Sequence, residues 1–376
     1  MPSFRVPSAD FSFSRRRLLQ GGAAALGGLA AYGLGAGSLL ADIPEAVVAA
    51  GKASGRLNTI ALPPDWANYG KMISTFEQKY GITIHNQSPN ASSAQELQAI
   101  RSLKGQDRAP DAVDVGPSFA IQGQQEGLFA PYKVSTWDSI PEAIKDKDGY
   151  WYADYFGVIS FGVNKSAVSS VPQSWDDLKK PEYRNQIALN GSPMGAAAAF
   201  AGVWAAALAN GGSLDDIAPG VAFFAELAQA GNFVPVGATP ATIESGQTPI
   251  VINWDYLNLA YKTQFAQRAD IEVVIPEGPV FGNYYCQAIS AFAPNPDAAK
   301  LWMEFVYSDE GQLIYLEGFA HPARFTDMVK RQAIPAELMA KLPPAEPYEK
   351  VTFPNNAQTK KAQDVVQAQW QQKVGG

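Results

Sequence analysis

Hydrophobic and polar positions along residues 56 to 118 change period several times. RLNTI (56–60) is a short β-type run that ends at Pro63 and Pro64. Tyr69, Met72, Ile73, Phe76 and Tyr80 then recur at helical spacing, and Gly81 stops that helix. ITIHNQS (82–88) alternates as a second strand. Ser92 or Ser93 caps an apolar-periodic helix in NASSAQELQAIRS, and PDAVDVGPS (110–118) reads as a third strand with a Gly-Pro stop. Strand and helix in alternation predict a mostly parallel sheet with helices on both faces.

The same grammar returns further on. GYWYADYFGVISFGVNKSAV (149–168) is a long β-rich passage, followed by a strand at 186–189, a loop at 190–195 and an alanine-rich helix. A helix near 221–230, a strand VPVG (234–237), a helix start TPATIESG, a strand PIVIN and a helix over 256–265 complete a second block. A further long β passage over 271–293 precedes a helical C-terminal third. Two extended passages bracket the second block, so the chain is expected to leave one α/β lobe, build another and return. The expected fold is α/β with two open doubly wound sheets joined by a two-crossing hinge and a cleft between them. The expected division is a signal peptide at 1–41, a linker at 42–55, lobe one at 56–160, lobe two at 161–272, and at 273–376 the rest of lobe one with the C-terminal helices.

The first residues change the picture of where the protein works. Arg15, Arg16 and Arg17 precede a glycine-rich, weakly apolar run to about residue 41, the pattern of a twin-arginine export signal. The protein is therefore expected in the periplasm, delivered by the twin-arginine export machinery. Removing that segment takes away four arginines and one aspartate, so the net charge moves from −7 to −10. An acidic body argues against nucleic acid and anionic membranes as partners. Cys286 is the only cysteine and His85 and His321 the only histidines, so neither an internal disulfide nor a histidine-rich zinc site is expected.

No catalytic motif stands out: GxSxG, GxxxxGK[ST] and HExxH are absent, and the acidic pairs Asp176-Asp177 and Asp215-Asp216 sit at helix starts. The chemistry gathers at predicted strand ends instead. Asp65, Trp66 and Tyr69 follow the first strand, and Ser92 and Ser93 open a helix. Ser118 follows the third strand, and Tyr155 precedes the first crossing. Ser192 and Gly195 lie before the alanine-rich helix, and Trp254, Asp255 and Tyr256 end a strand of the second block. Tyr285 lies at the second crossing and Arg324 follows later. In doubly wound folds such loops converge on one edge.

TFEQKYGITI, FGVISFGVNKSAV with PQSWDDLKKPEYRNQIAL, TPATIESGQTPIVINWDY and NPDAAKLWMEFVYSDEGQ occur in that order. They resemble the periplasmic solute-binding proteins of ABC importers, in the group of spermidine/putrescine and ferric-iron receptors, over about residues 56–340. The resemblance implies a monomeric, non-catalytic receptor without a cofactor that hands its solute to an inner-membrane ABC permease. Trp66 and Tyr69 are similar to a WxxY pair of polyamine receptors, and Trp254-Asp255 to their tryptophan and ammonium-binding aspartate. Ring faces and a desolvated carboxylate suit a cation. Asp65 and Asp154 are candidates for a second ammonium.

The solute expected is thus an amine: a polyamine, or a zwitterion such as an ω-amino acid or aminophosphonate. Its amine would sit at Asp255, and its acid at Arg324 or at the helix starts of Ser92/Ser93 and Ser192 to Gly195. Two alternatives stand beside it: a ferric-iron receptor using Tyr284 and Tyr285, and an exported enzyme on the same scaffold.

Overall fold

The computed structural model describes residues 43–340 and 351–375; the expected export signal at 1–41 lies outside them. The chain runs through α1 (Glu45–Ser54), β1 (Arg56–Ile60), α2 (Tyr69–Tyr80), β2 (Thr83–Gln87), α3 (Ser93–Leu103), β3 (Ala112–Val115), α4 (Pro117–Gln125) and β4 (Phe129–Ala130). After β5 (Tyr152–Asn164) come β6 (Ile187–Leu189), α5 (Ala197–Ala209), α6 (Ala218–Ala230), α7 (Pro240–Glu244), β7 (Ile250–Trp254), α8 (Asp255–Gln264) and β8 (Ile271–Val274). β9 (Val280–Ser290) leads into α9 (Pro296–Val306), α10 (Asp309–Glu317), β10 (His321–Pro322), α11 (Phe325–Lys330), α12 (Ala336–Met339), β11 (Val351–Thr352) and α13 (Asn356–Lys373).

Most predicted strands and helices form where the periodicity places them, and the reasons are local. Gly81 ends α2 in the left-handed region at φ 69° and donates its N–H to Glu77 O. Two stretches differ from what periodicity predicts. Within the stretch expected as a linker, residues 45–54 form α1, whose Gly51 packs so closely on Leu301 of α9 that a Cβ there would lie 2.7 Å from the Leu301 Cβ. VPVG forms no strand: Pro235 supplies no N–H, and only Phe233 bridges to Ile187.

The sheets are mixed rather than mostly parallel. β1 pairs with β2, and β6 with β7, in parallel, but β3 and β5 both run antiparallel to β9. β5 is the strand that crosses: Tyr152 to Val158 pair with β9, and Ile159 to Val163 with β7. A bulge between Ala153 and Tyr155 interrupts its alternation. Bulges re-aim side chains, and here Asp154 and Tyr155 both bond to the buried groups around Tyr69 and Asp114.

Two apolar clusters hold the layers. One lies between α3, α4 and the face of β3 and β9 that carries Val113, Val115, Tyr284 and Cys286. The other joins α2, α9 and α10 to the opposite face and continues through α5, α6, β6 and β7. The C-terminal helix, expected with the first lobe, packs on both α4 and α6, with Trp370 seated against Phe224 and Phe233. Among the described residues no helix is long and apolar enough to cross a membrane.

Candidate functional site

A cavity of about 800 Å³ opens where the N-termini of α3, α5 and α7 face the loop after β1. Asp65, Trp66, Ser92, Ser93, Ser192, Gly195 and Tyr285, all expected at the site, border it. The approach across it is narrow. A Cβ on Gly116, the residue before α4, would lie 2.5 Å from the Cβ of Ala197 at the start of α5, and one on Gly195 would lie 4.0 Å from Ser92 Oγ.

The first turn of α3 is stitched to the end of β3. Ser93 Oγ accepts from Gly116 N–H at 3.2 Å, and Glu96 Oε2 accepts from Asp114 N–H at 3.0 Å. This brings two carboxyls, Glu96 (1% exposed) and Asp114 (4% exposed), to one wall of the cavity. Asp114 Oδ2 accepts from the Tyr69 and Tyr155 hydroxyls at 2.9 and 3.0 Å, whereas Oδ1 has no hydrogen-bond partner among the described residues. Burial pushes both carboxyls well above the usual carboxylate range; neighbouring Asp154 adds to the effect on Asp114, and Asp114 to that on Glu96. The acidic residues of the lining are Asp65, Glu96 and Asp114, and among the described residues no Lys, Arg or His borders the cavity.

The aromatic wall is built in two layers. Trp66 donates its indole N–H to the Tyr155 hydroxyl at 2.8 Å and meets Tyr285 edge-on at a centroid distance of 5.6 Å. Behind these rings lie Trp254 and Tyr256, both buried, with Tyr256 6.3 Å from Trp66 and Trp254 6.4 Å from Tyr285. They back the wall and do not border the cavity.

Several of the expected ligand contacts do not border this cavity. Asp255 is 1% exposed at the first turn of α8, and its Oδ1 accepts from Val158 N–H at 3.0 Å; it is part of the crossing rather than of the cavity lining. Local sequence cannot tell these roles apart, because an acid at a helix start is favoured by the dipole in either case. Tyr69 and Tyr155 donate to Asp114 and do not themselves border the cavity. Asp154 is held by Tyr315 at 2.7 Å and Gln287 at 3.1 Å. Arg324 lies away from the cavity, buried against Asp309 and Asp327 and donating to Ser139 Oγ and Tyr307 O. Ser118 lines a separate groove between α4 and α13. Tyr284 and Tyr285 point to opposite faces of β9, as adjacent strand residues must, so only Tyr285 reaches the cavity.

Sequence reasoning missed Glu96, Asp114, Thr239 and Tyr261 in the lining. The signal for Asp114 was present: an acid within a four-residue strand whose other members are apolar, a position that charge normally avoids. Among the described residues no group of three or more His, Cys, Asp or Glu is placed to hold a metal ion.

A family model described as bacterial extracellular solute-binding protein matches residues 107–361, and the chain belongs to that family. A protein of Salmonella typhimurium (strain LT2) named "Putative 2-aminoethylphosphonate-binding periplasmic protein" is 24% identical over 252 residues, 65% of this chain and 70% of the relative. The periplasmic binding protein AfuA from Actinobacillus pleuropneumoniae, with exogenous fructose-6-phosphate bound, superposes with TM-score 0.67 at 20% identity, over 85% of this chain and 98% of that one. Iron-bound HitA from Pseudomonas aeruginosa gives 0.65 at 16% identity, over 85% and 99%. These two share the fold. The protein is thus a periplasmic or extracellular solute-binding protein of an ABC importer, which passes a small solute to a permease and is not an enzyme.

Proposed function

We propose that this member of the bacterial extracellular solute-binding protein family captures a small amine-bearing solute, an ω-amino acid or aminophosphonate, in the cavity at the N-termini of α3 and α5. The observation that carries the reading is the lining charge. Its charged groups are the acids Asp65, Glu96 and Asp114, beside the rings of Trp66 and Tyr285, a setting that favours a cation through ring faces and charge-assisted hydrogen bonds.

An acid at the other end of the solute finds helix N-termini. α5 begins after Ala196, which supplies no side-chain cap, and Ala197 and Ala198 of its first turn border the cavity opposite Ser92 and Ser93. First-turn N–H groups and the helix dipole suit a phosphonate or carboxylate, with the Ala198 N–H already turned to the Tyr285 hydroxyl. The printed name of the Salmonella relative points the same way. A polyamine would need its second ammonium at Asp65, at the exposed mouth. The ferric reading is weaker, because burial pushes the Tyr261 and Tyr285 phenols up and works against the phenolates that iron needs. The lobe division expected from sequence, 56–160 with 273–376 against 161–272, puts α3 and α5 in different lobes, so that closure around the solute joins them.

A thermal-shift and calorimetric comparison of 2-aminoethylphosphonate with ethylphosphonate, and of 4-aminobutanoate with butanoate, tests the amine. Each amine should stabilise the protein, by about 2.7 kcal/mol at a hundredfold excess over Kd. Equal stabilisation by the amine-free partners would overturn the reading.

A further inference from the structure

We infer that the Asp114–Glu96 pair exchanges a proton for the ammonium group of the solute, so that capture is coupled to proton release. The inference rests on the amine reading of this cavity and adds its regulation by pH.

The argument starts from hydrogen bonds. Asp114 Oδ2 is taken by two phenols, while Oδ1, itself buried in a side chain more than nine-tenths buried, has no partner among the described residues, and Asp114 is one of the residues that line the cavity. A buried acceptor without a donor is costly, and an ammonium supplies the missing N–H. The surrounding phenols relieve the charge only in part: Tyr155 donates to Asp114 Oδ2 at 3.0 Å, yet burial and Asp154 still hold the carboxyl up. Tyr69 has one hydrogen and stands between Asp114 Oδ2 at 2.9 Å and Asp154 Oδ2 at 3.1 Å, so it serves one carboxyl at a time.

The titratable groups around Asp114 are Tyr69 of α2, Glu96 of α3, Asp154 and Tyr155 of β5, Tyr256 of α8, Tyr285 and Cys286 of β9, and Tyr315 of α10. None is cationic at neutral pH. Three buried carboxyls, Glu96, Asp114 and Asp154, therefore share a region without a counter-ion among the described residues. Like charges in such a region cannot all ionise, and Asp154 itself is raised to about 6, chiefly by burial.

In the empty protein the Asp114–Glu96 pair accordingly keeps a proton. When R–NH3+ arrives, the O–H bond of that carboxyl breaks, its proton leaves to solvent, and the electron pair stays on the carboxylate that receives the ammonium. Charge and atoms balance without another reactant. The sign follows: affinity rises with pH, up to tenfold per unit, while the pair is protonated in the free protein, and becomes flat above that range.

The test is calorimetry of the mature protein with 4-aminobutanoate and putrescine, neither of which titrates between pH 5 and 8. Runs in buffers of different ionisation enthalpy count the protons. The expected result is release of up to one proton per ligand, with a slope in affinity against pH. Glu96→Gln, which removes one like charge, should move the onset of that slope to lower pH. Carboxyl carbon NMR of the wild type, free and bound, gives a reading that needs no variant to fold: a carboxyl titrating above the usual range should fall when ligand binds. An amine that binds with no proton release and a flat affinity from pH 5 to 8 overturns the coupling and leaves the amine reading intact. Failure of every amine to bind overturns both.

Discussion

Asp255 Oδ1 accepts the N–H of Val158 at 3.0 Å, which ties the first turn of α8 to the residue at which β5 leaves β9 for β7. The contact is close because residue 157 is glycine: a Cβ there would lie 2.8 Å from Asp255 Oδ1 and 2.6 Å from the Tyr256 ring. The carboxylate thus holds the crossing.

Asp255→Ala should therefore cost stability, since it leaves a buried N–H without this acceptor. A loss of about 1–3 kcal/mol is expected from that group alone, read by chemical denaturation. In the same protein, the affinity for 4-aminobutanoate should fall less than in Asp114→Asn. The opposite order would return the counter-ion role to Asp255.

Gly116 tests the narrow approach across the cavity. Any Cβ there meets Ala197 at 2.5 Å, and Ala197 sits at the start of a helix that cannot yield like a flexible side chain. Gly116→Val should weaken solute binding by about tenfold or more, some 1.4 kcal/mol, and, if the proposed closure holds, stability without ligand should change less, because lobes that separate in the empty protein would carry these two edges apart. Calorimetric affinity and a melting curve of the free protein separate the two effects.

His321 gives a pH prediction. It is buried between Phe156 at 5.0 Å and Phe325 at 5.5 Å, and burial lowers it to about 4 from an ordinary 6.5. The unfolded chain takes up a proton as pH falls below 6.5, and the folded protein does not until about 4. His321 therefore removes stability across that window, by about 3 kcal/mol in all. Glu96 and Asp114 act with the opposite sign, because raised carboxyls favour the folded state at low pH and lose that contribution as pH rises. The comparison must then be between proteins: relative to wild type, His321→Phe should gain stability as pH drops from 7 to 4.5. Parallel stability curves would refute it.

Periodicity alone located α2, β7 and the loops that open onto the cavity, because burial of one helix stripe or of a whole strand leaves a direct mark in the order of residues. It also placed Ser92, Ser93, Ser192 and Gly195, since helix starts carry their own capping and glycine signals. It could not rank Asp255 against Asp114. Both are single acids at buried strands or strand ends, and what separates them is which oxygen finds a donor. That depends on β5, where a bulge and a change of partners bring Asp154, Tyr155 and Val158 to residues about 40 to 100 positions away. Sequence by itself determined the succession of most strands and helices. Tertiary structure decided which carboxyl is spent on holding the fold and which faces the cavity, because hydrogen-bond satisfaction is a property of contacts across the chain and not of neighbours along it.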